Sequence, residues 1–215
     1  MISNIINYGG MFVLAVMITR ILGVDALGEF TYIFAVSSIL AVISELGLSQ
    51  LLIRKINAER ARIFSLIRNV NILKIFISIG CVLSTSIIFY IFPGLNLNLT
   101  LVIGIAVIIP RTIQATFDSS VRALQKQAIP SVIKSINTLL QIIFAYFILE
   151  NTGSLLNIFV MIIIMETLTM IMFYIINKVL WNRSGISFAD SIPYSYSYIK
   201  PVLKESFPFF GSSFL

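Results

Sequence analysis

The chain has 215 residues, of which 58% are hydrophobic and only 11% are charged, and its formal net charge is +6. Soluble domains contain about 25% charged residues, so this composition excludes an ordinary soluble domain. The sequence has no histidine and one cysteine, which excludes histidine-dependent catalysis, histidine metal sites and an internal disulfide. We therefore predict a helical membrane protein with no metal and no cofactor.

Six apolar segments of about 20 residues follow one another along the chain, and each is long enough to cross a bilayer as a helix. Short segments rich in glycine, proline or asparagine separate them at 23–28, 93–96 and 151–153, and such residues are typical of turns. Longer basic segments alternate with these turns. We predict transmembrane helices at residues 2–22, 30–52, 70–92, 97–119, 131–149 and 155–176.

The basic residues are distributed unequally between the two ends of these helices. When each lysine and arginine is assigned to its nearest helix end, Arg20 alone lies with the short turns, and the other fourteen lie at the opposite ends. Cytoplasmic loops carry an excess of lysine and arginine, so we predict a cytoplasmic amino terminus and external short turns. The positive charge thus describes a membrane orientation and does not indicate nucleic-acid binding.

The last forty residues are organised differently from the six spans. The run Pro-Tyr-Ser-Tyr-Ser-Tyr-Ile-Lys-Pro at 193–201 has tyrosines that are typical of a membrane interface. Residues 206–215 resemble the beginning of a further helix. We predict a six-helix bundle at 1–176, a cytoplasmic or interfacial linker at 177–205, and the start of a second bundle at 206–215.

Polar residues recur at helical spacing inside the predicted spans, which places them on one face of each helix. A charge at the bilayer centre costs about 2.5 to 3.5 kcal/mol on insertion scales, so these faces are expected to meet as interhelical hydrogen bonds or as the wall of a water-filled cavity. Four of the charged residues lie near the basic helix ends, where the alternative is that their side chains extend to the interface. These four are Lys74, Arg111, Asp118 and Lys134.

Glu166 lies near the middle of the sixth span, about 16 Å from either end by the helical rise. A carboxylate at that depth is paired with a cation, hydrated in a cavity, or protonated. We predict a functional carboxylate in a polar cavity, with a structural interhelical bond as the alternative. At the outer end of the first span, Arg20 either pairs with Asp25 or Glu29 or binds phosphate at the mouth of the cavity.

Residues 20–30, Arg-Ile-Leu-Gly-Val-Asp-Ala-Leu-Gly-Glu-Phe, resemble the R-x-L-G-x-x-x-x-G-x-F signature that ends the first helix of bacterial polysaccharide flippases. Glu-Leu-Gly-Leu at 45–48, followed by Leu-Leu-Ile-Arg at 51–54, is similar to the end of that family's second helix. Leu-Lys-Glu-Ser-Phe-Pro-Phe-Phe at 203–210 is similar to the start of its second half. The motifs occur in the family's order, and the resemblance covers essentially the whole chain.

These flippases are the O-antigen and capsule repeat-unit translocases of the multidrug, oligosaccharidyl-lipid and polysaccharide exporter superfamily. The resemblance implies a bacterial inner-membrane transporter, not an enzyme, that moves an undecaprenyl-diphosphate-linked oligosaccharide to the outer leaflet. It also implies two bundles that enclose a cationic cavity and open it alternately to each side. Expected partners are the lipid-linked oligosaccharide, the lipid bilayer, a polysaccharide polymerase, and a second bundle or a second copy of the chain.

The family motif matches only Arg20 among the residues that we assign to the cavity, and the others are assigned by helical spacing. Substrate contacts are predicted for Arg20, Lys74, Arg111, Lys134 and Gln141. Carboxylates that couple transport to an ion or line the cavity are predicted to be Glu45, Asp118 and Glu166.

The chain departs from the family in length, because members have about twelve or more spans. We expect it to represent the first bundle and the start of the second, as a fragment, a truncated reading frame or a unit that dimerises. One alternative function is a drug or metabolite exporter of the same superfamily, which the excess of cations disfavours. A second alternative is a membrane enzyme acting on the same lipid carrier, which the absence of an acidic metal-binding pair or a histidine disfavours. A third is a passive channel or scaffold subunit.

Overall fold

The structure is a computed structural model that describes residues 2–58, 63–92 and 98–183. Within these ranges every regular element is an α-helix, and the predicted all-α fold is confirmed. Six units are long and apolar enough to cross a membrane, because α2 with α3, and α5 with α6, each form one span. The helices are α1 (Ile2–Leu22), α2 (Val24–Glu45), α3 (Leu48–Ala58), α4 (Ile63–Ile91), α5 (Leu99–Ala106), α6 (Ile108–Ala123), α7 (Ala128–Thr152) and α8 (Leu155–Arg183).

Two turns at one end of the bundle are shorter than the sequence analysis predicts. Gly23 alone separates α1 from α2, so residues 24–28 are helical and not part of a turn. Its φ of 92° allows a connection of one residue, since glycine has no Cβ to clash at positive φ. α7 likewise continues to Thr152, and the backbone N–H of Gly153 donates to the carbonyl of Leu149 at 3.2 Å. The turn predicted at 93–96 lies outside the described residues.

The opposite end of the bundle, where α3, α6 and α8 end and α4 and α7 begin, is called the basic end below. α8 continues through Arg183, so residues 177–183 of the predicted linker are helical. Asn177 and Lys178 interrupt the apolar segment, but Val179, Leu180 and Trp181 continue it, and the burial of Trp181 holds this last part of α8 against the bundle. Residues 184–215, with the rest of the linker and the predicted second bundle, lie outside the described part of the chain. Described basic residues at this end include Arg54, Lys55, Arg68, Arg122, Lys126 and Lys178.

Two spans that the sequence analysis predicts as continuous are interrupted. Leu46 and Gly47 have φ angles of 42° and 71°, and they end α2 before α3 begins. For leucine this left-handed conformation costs roughly 1 to 2 kcal/mol, which the burial of the apolar face of α3 offsets. In the fourth span, Pro110 has no backbone N–H to donate to Ala106, and the helix is interrupted at Val107.

α6 lies at the centre of the bundle, in contact with α2, α3, α4, α7 and α8. Eleven of its 16 residues are buried, although the helix is rich in serine and threonine. Hydroxyls on this helix donate to its own backbone, as Thr116 does to the carbonyl of Thr112 at 3.3 Å and Ser119 to that of Ala115 at 2.8 Å. Small side chains with satisfied hydroxyls let neighbouring helices approach α6 closely.

A polar layer divides the apolar core into two clusters. On α8, one cluster includes Ile162 and the other includes Phe173, one on each side of Glu166. α6 follows the same order, with its polar residues between the two clusters. The layer therefore lies near the middle of the fourth and sixth spans. Its charged and amide side chains on these two helices are Arg111, Gln114 and Glu166.

Candidate functional site

A cavity of about 370 Å³ opens in this polar layer between α1, α2, α6, α7 and α8. Its wall combines two cations and one carboxylate with amides, a hydroxyl and apolar groups. This volume and this mixture are typical of a site for a small ligand or part of a larger one. The polar wall residues are Asn7, Arg111, Gln114, Lys134, Asn137, Thr138, Gln141 and Glu166.

An ion pair between α6 and α8 crosses the cavity wall. The Nε of Arg111 donates to Oε1 of Glu166 at 3.2 Å, and Nε2 of Gln141 approaches the same oxygen at 3.5 Å. The Glu166 side chain is 9% exposed and that of Arg111 is 32% exposed, so the cation is the more accessible partner. The guanidinium also lies 5.7 Å from the ring centroid of Phe34, within cation–π range. Of the three states considered for Glu166, the structure has the carboxylate paired with a cation.

Lys134 links the cavity to a second group of charged side chains, which lies towards the basic end of the bundle. Its ammonium donates to Oδ2 of Asp118, which is buried beside the cavity. Asp118 also accepts from Nε of Arg122 at 2.7 Å and from Nη2 at 3.1 Å. One carboxylate therefore holds two cations, and the group keeps a net positive charge.

α1 contributes residues to the cavity that the sequence analysis misses. Oδ1 of Asn7 accepts from the Thr138 hydroxyl at 2.8 Å. Gly10, one turn later, permits this contact, because a Cβ there would overlap the methyl group of Thr138. The signal available in the sequence is that Asn7, Gly10 and Leu14 share one helix face at three- and four-residue spacing.

Lys74 and Glu45 lie outside this cavity, which corrects their assignment to it. The Lys74 side chain is fully buried, so it does not extend to the interface. Its Nζ donates to Oγ of Ser49 at 3.0 Å and to the carbonyl of Thr112 at 3.4 Å, with Oε1 of Glu45 at 3.9 Å. The reason is the rotation of α6, which turns Thr112 towards α4 while Arg111 faces the cavity.

Arg20 is also absent from the cavity wall. It is exposed in the last turn of α1, at the end opposite the basic end. No ion pair joins it to Asp25 or Glu29, both of which the structure describes, so the predicted pairing across the turn is absent. Arg111, Lys134, Gln141 and Glu166 are the predicted site residues that the structure brings together.

The arrangement of charges in the cavity is suited to binding an anion. The described residues include no group of three acidic or cysteine side chains close enough to hold a metal ion. Each cavity cation has a carboxylate partner, Glu166 for Arg111 and Asp118 for Lys134. An anionic ligand would compete with these carboxylates for cations that are already desolvated and oriented.

A comparison with protein families finds the model of the polysaccharide biosynthesis protein family, which matches residues 1–215. No curated protein and no solved structure gives a significant match. The family and the six apolar helices agree with each other, and together they define a multi-pass membrane protein that acts in polysaccharide biosynthesis. The chain belongs to the polysaccharide biosynthesis protein family.

Proposed function

We propose that the chain is the cavity-bearing bundle of a flippase in the bacterial inner membrane. The transporter moves an undecaprenyl-diphosphate-linked oligosaccharide, a precursor of O-antigen or capsule, from the cytoplasmic to the outer leaflet. It works by alternating access and forms no covalent bond with its substrate, so the chain is not an enzyme. Membership of the polysaccharide biosynthesis family supports the substrate class.

The observation that carries the proposal is a cavity within the membrane-spanning bundle that has Arg111 and Lys134 on its wall. A sugar diphosphate must cross about 30 Å of hydrocarbon while its polyprenyl tail stays in lipid. The polar wall replaces the hydrogen bonds to water that the head group loses on the way. Arg111 lies near the middle of its span, and a cation there also reduces the electrostatic cost of moving two phosphates through the bilayer.

Binding of the diphosphate requires an exchange of partners at Arg111. Its Nε contacts Glu166 in the structure, and the guanidinium is the more exposed member of the pair. A phosphate can accept two parallel hydrogen bonds from a guanidinium, which is a stronger interaction than the single one present now. Lys134 supplies a second positive charge on the same wall, held in place by Asp118.

A volume of about 370 Å³ accommodates a diphosphate and part of one sugar, but not a whole oligosaccharide. We infer that the rest of the head group lies against a second wall, supplied by another bundle or by a second copy of this chain. We also infer that Glu166 couples transport to a cation gradient. A cation that neutralises Glu166 releases Arg111 to the substrate, and the ion pair re-forms when both the substrate and the cation have left.

The test is complementation of a strain in which the native gene is deleted. The strain is expected to accumulate the lipid-linked repeat unit in the cytoplasmic leaflet, as measured by its accessibility to a membrane-impermeant periodate reagent. The native gene carrying Arg111→Gln and Lys134→Gln should fail to restore outward movement. A matched double variant at the basic end, Arg54→Gln with Lys126→Gln, removes the same charge outside the cavity and should restore it.

Two outcomes would count against the proposal. A deletion strain that makes no repeat unit would favour an enzyme acting on the lipid carrier. Full complementation by the Arg111→Gln, Lys134→Gln variant, at equal protein level, would show that the cavity cations do not handle the substrate.

A further inference from the structure

A second cavity, of about 290 Å³, lies at the basic end between α4 and α8, away from the cavity described above. The side chain of Phe117 on α6 contributes to its floor and makes an edge contact with Tyr174 at 5.7 Å between ring centroids. Apolar residues of α4, including Ile67 and Ile72, form the facing wall. The floor and the facing wall of the groove are therefore mostly apolar.

Two cations lie at matching positions on the two sides of this groove. Arg68 is four residues from the beginning of the third span at Phe64, and Lys178 is four residues from the end of the sixth span at Asn182. Four residues correspond to about 6 Å of helix. Both cations are exposed, and each lies about one helical turn from the basic end of its span, where a long side chain can extend towards a phospholipid head group.

Two amide side chains that line the same groove each have a buried oxygen without a donor. Asn177 is 3% exposed, and its Nδ2 donates to the carbonyls of Phe117 and Phe173 at 3.1 and 2.9 Å. Oδ1 of Asn177 and Oδ1 of Asn71, both buried, have no hydrogen-bond partner among the described residues. A buried acceptor without a donor is unfavourable, so these oxygens indicate a ligand that brings hydroxyl or ammonium donors.

We propose that this groove binds an anionic glycerophospholipid of the leaflet at the basic end, with a hydroxylated head group such as that of phosphatidylglycerol. The phosphate lies between Arg68 and Lys178, the head-group hydroxyls donate to Asn71 and Asn177, and an acyl chain follows the aromatic floor. The phosphate pairs with the two cations, the hydroxyls supply donors for the two amide oxygens, and the acyl chain covers the apolar wall. The proposal is independent of the flippase activity, because the substrate cavity lies on other faces of the bundle.

The experiment is a lipid titration of the purified full chain followed by native mass spectrometry. Phosphatidylglycerol should be retained at lower concentration than phosphatidylcholine by about tenfold or more, because each cation near an anionic head group contributes roughly a factor of five. Arg68→Gln with Lys178→Gln should abolish this preference. The matched variant Arg54→Gln with Lys126→Gln, at the same end but outside the groove, should keep it.

A second titration examines the two amide oxygens. Phosphatidylmethanol has the same charge as phosphatidylglycerol but no head-group hydroxyl. The native chain should bind phosphatidylglycerol about 25-fold more tightly than phosphatidylmethanol, the value of roughly two hydrogen bonds. Asn71→Leu, of similar volume, should reduce this ratio to about fivefold, because Asn177 still accepts one hydrogen bond, and should keep its preference for both lipids over phosphatidylcholine.

Each opposite result would overturn the proposal. Equal retention of phosphatidylglycerol and phosphatidylcholine would exclude an anionic lipid, and equal losses in the two double variants would indicate non-specific charge. Tight binding of glycerol phosphate, which has no acyl chains, would identify a soluble ligand. If undecaprenyl phosphate displaced phosphatidylglycerol from the native chain but not from the Arg68→Gln, Lys178→Gln variant, the groove would belong to the carrier lipid.

Discussion

Two of the charged groups inside the bundle have different surroundings. Arg111 and Glu166 face a cavity, so an incoming ligand can replace one partner. Lys74 is fully buried on the other side of α6 and contacts a hydroxyl, a carbonyl and the carboxylate of Glu45. The first group is accessible for binding, and the second joins α4 to α3 and α6.

The Arg111–Glu166 pair is expected to show energetic coupling. Arg111→Gln leaves a nearly buried carboxylate without its cation and should lower the free energy of unfolding by about 1 to 3 kcal/mol. Adding Glu166→Gln removes that charge and should recover most of the loss. Equilibrium unfolding of the four proteins in mixed micelles measures the coupling. If the two single losses simply add in the double variant, the ion pair makes no contribution.

A similar experiment tests whether the buried ammonium of Lys74 depends on the carboxylate of Glu45. Glu45→Gln leaves a fully buried ammonium with only neutral partners, and we expect a loss of about 2 kcal/mol. Lys74→Met combined with Glu45→Gln replaces the charges by groups of similar size and should be within about 1 kcal/mol of the native protein. The same unfolding measurement applies, with Arg54→Gln as the control at an exposed site. A double variant less stable than Glu45→Gln alone would contradict this account.

At the scale of helices, close contact between α1 and α7 depends on one glycine. A Cβ at Gly10 would overlap Cγ2 of Thr138 and approach Ile142 at 3.2 Å, whereas a Cβ at the neighbouring Gly9 would meet nothing within 4 Å. The same contact positions Asn7 on the cavity wall. The spacing of α1 and α7 therefore also determines the width of the cavity.

We expect Gly10→Ala to destabilise the bundle by about 1 to 3 kcal/mol, because the overlap forces the helices apart. Gly9→Ala is the matched control and should be neutral or stabilising by up to about 1 kcal/mol. Thr138→Ser removes the overlapping methyl group but keeps the hydroxyl, so it should rescue Gly10→Ala. Unfolding in micelles measures all four proteins, and equal stability of the two alanine variants would refute the proposed contact.

The periodicity of polar residues predicted which face of each helix is polar, but it did not predict where a helix is interrupted. It identified the polar faces of α4, α6 and α7, since spacing along a helix determines direction around it. It did not indicate the break at Leu46, because leucine is not a residue that usually adopts a positive φ. That break depends on the packing of α3 against α4 and α6, and α6 is distant from α3 in the sequence.

At the scale of the whole molecule, the charge distribution predicts how the bundle is inserted. Alkaline phosphatase, which is active only outside the cytoplasm, should be active when fused after Gly153 and inactive when fused after Lys126. The reason is that Lys126 lies among the basic residues that stay on the cytoplasmic side. Expression of each fusion is verified by immunoblotting. The reverse activity pattern would overturn the orientation and with it the direction of transport that we propose.

The sequence by itself determined the class of the molecule: six apolar spans, their polar faces and an unequal distribution of charge. These properties are local, because they depend on composition and on spacing along one helix. Spacing assigned Lys74 and Arg111 to the same predicted cavity, and only the tertiary structure separated them. The rotation of α6 sends Thr112 towards Lys74 and Arg111 towards Glu166. Helix rotation follows from close packing between residues far apart in the chain, as at Gly10 and Thr138, and no single helix contains that information.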